Sequence, residues 1–134
     1  MPTLSSVLAL LLCLSSGSSL PNIIFLLVDD WGWNDFSFHG GCDFATPNLD
    51  ALAANALRLT NYYVQHLCTP TRSSIMSGRY PIHDGLQRGA LDEDAPYGLN
   101  LNITTLPEEL KRAGYSTHIL GKWHLGLCEF DTLF

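Results

Sequence analysis

The sequence predicts an α/β fold with a buried parallel sheet, and three segments lead to this prediction. Residues 23–28 form a continuous apolar run of strand length without polar alternation, as expected for a strand buried on both faces. Residues 57–64 alternate enough to indicate a second strand, and residues 115–120 indicate a third. Residues 80–104 contain several glycines and prolines and an acidic cluster, and they are predicted to form a loop.

Three helices are predicted between these segments. Each begins after a threonine that suits the N-cap position, namely Thr46, Thr69 and Thr105. Gly78 and Gly114 suit the residues just past the ends of the second and third helices. The first helix has an apolar face at helical spacing, formed by Leu49, Leu52, Ala53, Ala56 and Leu57.

Composition limits the classes of protein to which the chain can belong. Its 134 residues are enough for one modest core, and an apolar fraction of 46% is ordinary for a globular protein. The net charge is −6, and the seven lysines and arginines are scattered along the chain. A nucleic-acid-binding protein needs a basic patch, so that class is excluded.

The first twenty residues predict entry into the secretory pathway. An apolar run over residues 7–14 is followed by serines and a glycine over residues 15–19, as in a signal peptide and its cleavage region. The run is too short to span a bilayer. We therefore expect a signal peptide at 1–20, a mature domain at 21–134, and a lysosomal or secreted destination. Asn102 begins an N-glycosylation acceptor, which fits this route.

A reactive cysteine is one interpretation of the sequence Cys-Thr-Pro-Thr-Arg at residues 68–72. Cys68 is predicted to lie just before a helix N-terminus, where free N–H groups favour negative charge, and Arg72 lies one turn further on. A cysteine in that setting is expected to be chemically active. A small buried apolar residue is the equally supported alternative.

Two further clusters follow the predicted strands. Asp29 and Asp30 come directly after the first strand, and adjacent carboxylates there suit Ca²⁺ or Mg²⁺, although an ordinary acidic turn has the same pattern. Lys122 and His124 follow the third strand, where a lysine can neutralise an oxyanion and a histidine can move a proton. Two unrelated surface residues are the alternative for that pair.

Taken together, these motifs resemble the sulfatase family. The family pattern C-x-P-x-R matches residues 68–72, D-D-x-G matches residues 29–32, and G-Y-S-T-x-x-x-G-K-W-H matches residues 114–124. The resemblance covers residues 21–126. It is closest to the arylsulfatase B-like branch, because of the sequences around Cys68 and after Gly78.

The resemblance implies a fold and a modification. The fold is alkaline-phosphatase-like, with a mixed, largely parallel sheet flanked by helices. A formylglycine-generating enzyme reads Cys68, Pro70 and Arg72 together and oxidises the cysteine to formylglycine. The conversion leaves Cys42 and Cys128 as a candidate disulfide pair in the mature chain.

The resemblance also implies the site. One calcium ion is held by Asp29, Asp30 and formylglycine at position 68, and the implied catalytic residues are Cys68 (as formylglycine), Arg72, Lys122 and His124. The implied reaction is hydrolysis of a sulfuric ester in a sulfated carbohydrate or an aryl sulfate.

Two alternatives to an active sulfatase remain. Family members are several times longer than this chain, so we expect it to be an N-terminal portion, and a catalytically inactive fragment is one alternative. A phosphatase or phosphodiesterase of the same superfamily is the other, although such relatives use serine or threonine nucleophiles.

Overall fold

The computed structural model describes residues 20–41 and 43–126. Three α-helices lie in these ranges: α1 (Pro47–Ala54), α2 (Cys68–Ser77) and α3 (Leu106–Arg112). Three 3-10 turns accompany them, at Trp33–Asp35, Ser37–His39 and Pro81–His83. The predicted signal peptide, apart from Leu20, and the predicted Cys42–Cys128 pair lie outside the described residues.

Among the described residues, no helix has the length and apolar character needed to cross a lipid bilayer.

Helix α1 begins as predicted, with Thr46 as the N-cap residue and Pro47 in the first turn. The Thr46 hydroxyl does not cap a helix N–H, because it donates to Asp50 Oδ1 at 2.9 Å and accepts the Ser37 N–H at 3.1 Å. The helix ends at Ala54, so the last two residues of the predicted apolar face lie beyond it. Thr46 therefore ties α1 to the preceding 3-10 turn.

Helix α2 begins earlier than predicted. Leu67, and not Thr69, is the N-cap residue, and Cys68 is the first helical residue. The Thr69 side chain is fully buried and bonds to groups outside the helix, as described below, so it cannot cap it. The predicted end is confirmed, since Gly78 has a left-handed φ of 68° and its N–H donates to Ser74 O at 2.9 Å.

Helix α3 agrees with the predicted capping pattern. Thr105 is the N-cap residue, and its N–H donates to Glu108 Oε2 at 2.6 Å. Ala113 is the C-cap residue, and Gly114 follows with a φ of 92°. Local sequence chemistry therefore predicted both ends of this helix.

The three predicted strands form no β-ladder among the described residues. Apolar side chains in these segments are exposed: Ile24 is 89% exposed, Leu57 is 90% exposed and Leu120 is 98% exposed. A β-strand is defined by backbone hydrogen bonds to a neighbouring strand, and these three segments make no such bonds with one another. The sheet therefore remains a prediction.

The buried core lies where the sequence predicted a loop. In the described part of the chain, the buried apolar residues are Leu86, Leu91, Leu99 and Leu125. Three of the four belong to the predicted loop of residues 80–104. Partly buried side chains, including Met76 of α2 and Trp123, pack against this cluster.

Two glycines allow the chain segments of this core to approach each other. A Cβ on Gly98 would collide with the carbonyl oxygen of Leu125, and one on Gly126 would lie 2.6 Å from the Cα of Gly98. Beside this contact, the Leu99 N–H donates to Leu125 O at 2.8 Å. The core thereby holds the segment that contains Lys122 close to α2.

Candidate active site

The start of α2 brings together side chains from three distant parts of the sequence. Lys122 Nζ lies 2.8 Å from Asp29 Oδ2 and 3.2 Å from Cys68 Sγ. Cys68 Sγ lies 3.7 Å from Asp29 Oδ1. A cysteine, a carboxylate and an ammonium group thus form one cluster.

Arg72 lies one turn into α2 and points back to the same cluster. Its Nη1 donates to the carbonyl oxygen of Lys122 at 2.5 Å, and its Nη2 lies 3.5 Å from Asp29 Oδ1. The guanidinium is largely buried, with 12% of its side chain exposed. It therefore orders the backbone at Lys122 and adds positive charge beside Cys68.

The charges in this cluster support one another. The hydrogen bond from Lys122 lowers the pKa of Asp29, with further contributions from the charges of Lys122 and Arg72, although burial acts in the opposite direction. The hydrogen bonds to Asp29 and then to Cys68 raise the pKa of Lys122. At neutral pH, Asp29 is therefore an anion and Lys122 is a cation.

Asp30 completes a group that can hold a metal ion. One ligand atom each from Asp29, Asp30 and Cys68 lies within 4.8 Å of the others. Asp30 has a φ of 55°, a left-handed conformation that only a few per cent of non-glycine residues adopt. Both aspartates are exposed, so a cation has access to their oxygens.

His124 belongs to a different set of contacts. Its Nε2 lies 2.8 Å from the carbonyl oxygen of Leu91, and its Nδ1 is buried without a hydrogen-bond partner among the described residues. The Thr69 hydroxyl donates to the carbonyl oxygen of His124 at 2.8 Å. The structure thus brings five of the six predicted metal and catalytic residues together, and the ring of His124 makes no hydrogen bond to Cys68.

The sequence did not indicate the residues that support α2 from outside. Asp84 Oδ2 accepts hydrogen bonds from Ser73 Oγ at 2.7 Å and from Ser77 Oγ at 2.6 Å. Ser73 is fully buried, so these bonds satisfy hydroxyl groups inside the protein. Asp84 is a single aspartate after the turn Pro81–His83, and no sequence motif indicates that it accepts hydrogen bonds from α2.

Known proteins match this chain over most of its length. The family model described as Sulfatase matches residues 21–132. The chain belongs to the sulfatase family.

Individual sulfatases are similar over most of the chain. Arylsulfatase J from Mus musculus is 48% identical over 119 residues, which are 89% of this chain and 20% of that protein. Arylsulfatase A from Bos taurus is 45% identical over 88% of this chain and 24% of its own length. N-acetylgalactosamine-6-sulfatase from Homo sapiens is 40% identical over 79% of this chain and 22% of its own length. The chain spans about a fifth to a quarter of the length of these curated relatives.

The comparisons confirm the sulfatase family that the sequence motifs predicted. The same family carries the expectation of an alkaline-phosphatase-like fold.

Proposed function

We propose that this chain carries part of the active site of a sulfuric ester hydrolase, with residue 68 as formylglycine. One observation carries the proposal: possible ligand atoms of Asp29, Asp30 and Cys68 lie within 4.8 Å of one another, and Lys122 contacts two of these three residues. A sulfate ester is an anion, and such a cluster offers it a nucleophile, a cation site and fixed positive charge.

The position of Cys68 supports its role as the nucleophile. It is half-buried at the start of α2, and no other cysteine is described. Arg72 lies on the same helix, and Pro70 is buried between them. A formylglycine-generating enzyme would read these three residues as one motif before the chain folds around them.

A calcium ion fits the donor set in part. Asp29 and Asp30 offer hard carboxylate oxygens, which Ca²⁺ prefers, whereas a thiol is a soft ligand. Replacement of sulfur by the oxygen of formylglycine would give three hard donors out of the six to eight that Ca²⁺ takes. Bound there, calcium would supply Lewis-acid stabilisation of negative charge.

Residue 68, the two cations beside it and His124 have separate roles in the proposed hydrolysis. Formylglycine at position 68 would supply a nucleophilic oxygen in place of the thiol. Lys122 and Arg72 place positive charge beside residue 68, where the sulfate oxygens gain charge. The His124 ring would hold or move a proton through Nδ1, which is buried without a hydrogen-bond partner among the described residues. In the net reaction, water cleaves the ester to an alcohol and sulfate.

The fold and the destination belong to the same proposal. We infer an alkaline-phosphatase-like domain at 21–134 in which residues 23–28, 57–64 and 115–120 are strands of a mixed, largely parallel sheet. The signal peptide at 1–20 and a glycan on Asn102, which is exposed, would take the chain to the lysosome or out of the cell. Substrates would be aryl sulfates or sulfated carbohydrates, as in the arylsulfatase B-like branch, and 4-sulfated N-acetylgalactosamine is the sugar this branch suggests.

The proposal is tested by mass spectrometry. The chain is expressed in cells that contain a formylglycine-generating enzyme, and the secreted protein is collected. The tryptic peptide of residues 59–72 should have the mass in which CH₂SH has become CHO, and it should react with a hydrazide probe. Cys68→Ala and Arg72→Ala should abolish the aldehyde, whereas Arg79→Ala, which changes an exposed residue just after α2, should retain it.

Turnover is then measured with an aryl sulfate and the matching aryl phosphate. The proposal expects release of sulfate that depends on residue 68 and little hydrolysis of the phosphate. An unconverted cysteine without turnover would contradict the proposal and favour an inactive fragment. Preferential hydrolysis of the phosphate would favour the phosphatase alternative.

A further inference from the structure

We propose that Thr69 is a positioning residue for His124: its hydroxyl group and the backbone of Leu91 hold the histidine ring in the tautomer that leaves Nδ1 free to accept a proton. The chemical use of that nitrogen rests on the proposed function. The positioning itself rests on contacts that can be measured without turnover.

Three hydrogen bonds join Thr69, Leu91 and His124 into a closed ring. The Thr69 hydroxyl donates to the carbonyl oxygen of His124 at 2.8 Å and accepts the Leu91 N–H at 3.0 Å. The carbonyl oxygen of Leu91 bonds His124 Nε2 at 2.8 Å. Thr69 is fully buried and Leu91 is buried, so water does not compete for these groups.

The bond to Leu91 determines the tautomer. A carbonyl oxygen only accepts hydrogen bonds, so Nε2 must carry the proton that lies between the two atoms. The neutral ring then has no proton on Nδ1. That atom is buried and has no partner among the described residues, which leaves its lone pair available for a group outside the described contacts.

The backbone at His124 explains why such support is needed. His124 has a φ of 57°, a left-handed conformation that is costly for a residue with a Cβ. The Thr69 hydroxyl bonds its carbonyl on one side, and the next residue, Leu125, is 1% exposed in the core. The surrounding contacts therefore impose the conformation that directs the ring toward Leu91.

Two substitutions of Thr69 distinguish the effect of its hydroxyl group from the effect of its shape. Valine has nearly the same shape but would leave the Leu91 N–H and the His124 carbonyl without their partner. Serine retains the hydroxyl group. Thr71→Val is the matched control. It also removes a threonine hydroxyl from α2, but that hydroxyl donates to the carbonyl oxygen of Gln65 at 2.9 Å.

The test is ¹⁵N NMR of the histidine rings in the whole chain. Spectra are recorded over a range of pH, and the tautomer is assigned where the ring ¹⁵N shifts no longer change as the pH rises. His124→Gln identifies the His124 signals by their loss. We expect a protonated Nε2 with slow hydrogen exchange in the wild type, in Thr69→Ser and in Thr71→Val. In Thr69→Val we expect loss of the slow exchange and a mixture of both tautomers.

A wild-type ring protonated on Nδ1 would overturn the proposal, as would a Thr69→Val ring that stays protonated on Nε2 with slow exchange. If Thr69→Val does not fold, the wild type alone decides through the Leu91 amide: slow exchange there, together with protonated Nε2, supports the proposal, and free exchange contradicts it. A chain that shows the expected tautomer but never hydrolyses sulfate esters would contradict the proposed function and leave this inference standing.

Discussion

Lys122 Nζ donates to Asp29 Oδ2 at 2.8 Å, although the two residues are 93 positions apart in the sequence. Both side chains are partly exposed, at 37% and 44%, so the pair contributes little to stability on its own. Its importance lies in the third group, since the same ammonium lies 3.2 Å from Cys68 Sγ. The ion pair therefore holds the Lys122 ammonium next to residue 68, which is the proposed nucleophile.

Removal of the Lys122 ammonium should lower turnover much more than it lowers stability. Lys122→Ala deletes a donor beside residue 68, and loss of one such donor costs about 10²–10³ in kcat. The measurement is kcat and KM on an aryl sulfate with the formylglycine-containing protein. Lys111→Ala, which removes an exposed lysine of α3, is the control and should leave both constants unchanged. Equal activity of the two variants would contradict the role of Lys122.

Calcium binding should depend on Asp30 and on conversion of residue 68. Asp30→Asn removes one carboxylate charge from the group of three donors, so the Kd measured by calorimetry should rise at least tenfold. The unconverted cysteine form should also bind more weakly, because a thiol is a poor ligand for a hard cation. Asp94→Asn, in an exposed acidic stretch, should bind like the wild type. Identical affinity in all these forms would place any calcium elsewhere.

Gly98→Ala should destabilise the protein by about 1–3 kcal/mol, as overpacking of a close contact does. The added Cβ would collide with the carbonyl oxygen of Leu125. Because that oxygen belongs to the backbone, the clash can be relieved only if one of the two chain segments moves. Urea unfolding measures the free energy. Gly89→Ala is the matched control, since its Cβ would meet only the Leu67 side chain at 3.7 Å, and it should change stability by less than about 0.5 kcal/mol. A neutral Gly98→Ala would show that the two segments are not in contact.

The capping interaction of α3 should disappear in acid. Hydrogen bonds from the Thr105 N–H and then from its hydroxyl lower the pKa of Glu108 below its ordinary value of 4.5. A lowered pKa in the folded state means that the ionised carboxylate stabilises the fold above pH 4.5 and that this contribution is lost as the pH falls below that value.

Glu108→Gln should therefore be less stable than the wild type at pH 7 and equal to it at a pH well below 4.5, as measured by urea unfolding. Glu93→Gln removes the same charge from an exposed position and should show no such pH-dependent difference. A difference for Glu108→Gln that persists unchanged in acid would mean that the charge is not responsible.

Short-range sequence patterns predicted most of the helix ends of this chain, although not the start of α2. Thr46, Gly78 and Thr105 stand at the helix ends where their residue types placed them, because a helix end is decided by side chains and dihedral angles within one turn. The motifs also identified the residues that meet beside Cys68. The strands predicted at 23–28, 57–64 and 115–120 form no ladder among the described residues, because strand pairing depends on partners distant in the sequence.

Motifs in the amino-acid sequence were enough to predict the family, the candidate nucleophile Cys68 and the acidic and basic residues proposed to act with it. The packing of distant segments decided that Lys122 bridges Asp29 and Cys68, and that Leu91, from a predicted loop, is part of the core. It also decided that Thr69 bonds His124 and Leu91 and does not cap α2. The physical reason is that residue type limits which bonds a group can make, whereas its actual partner depends on how distant segments pack together.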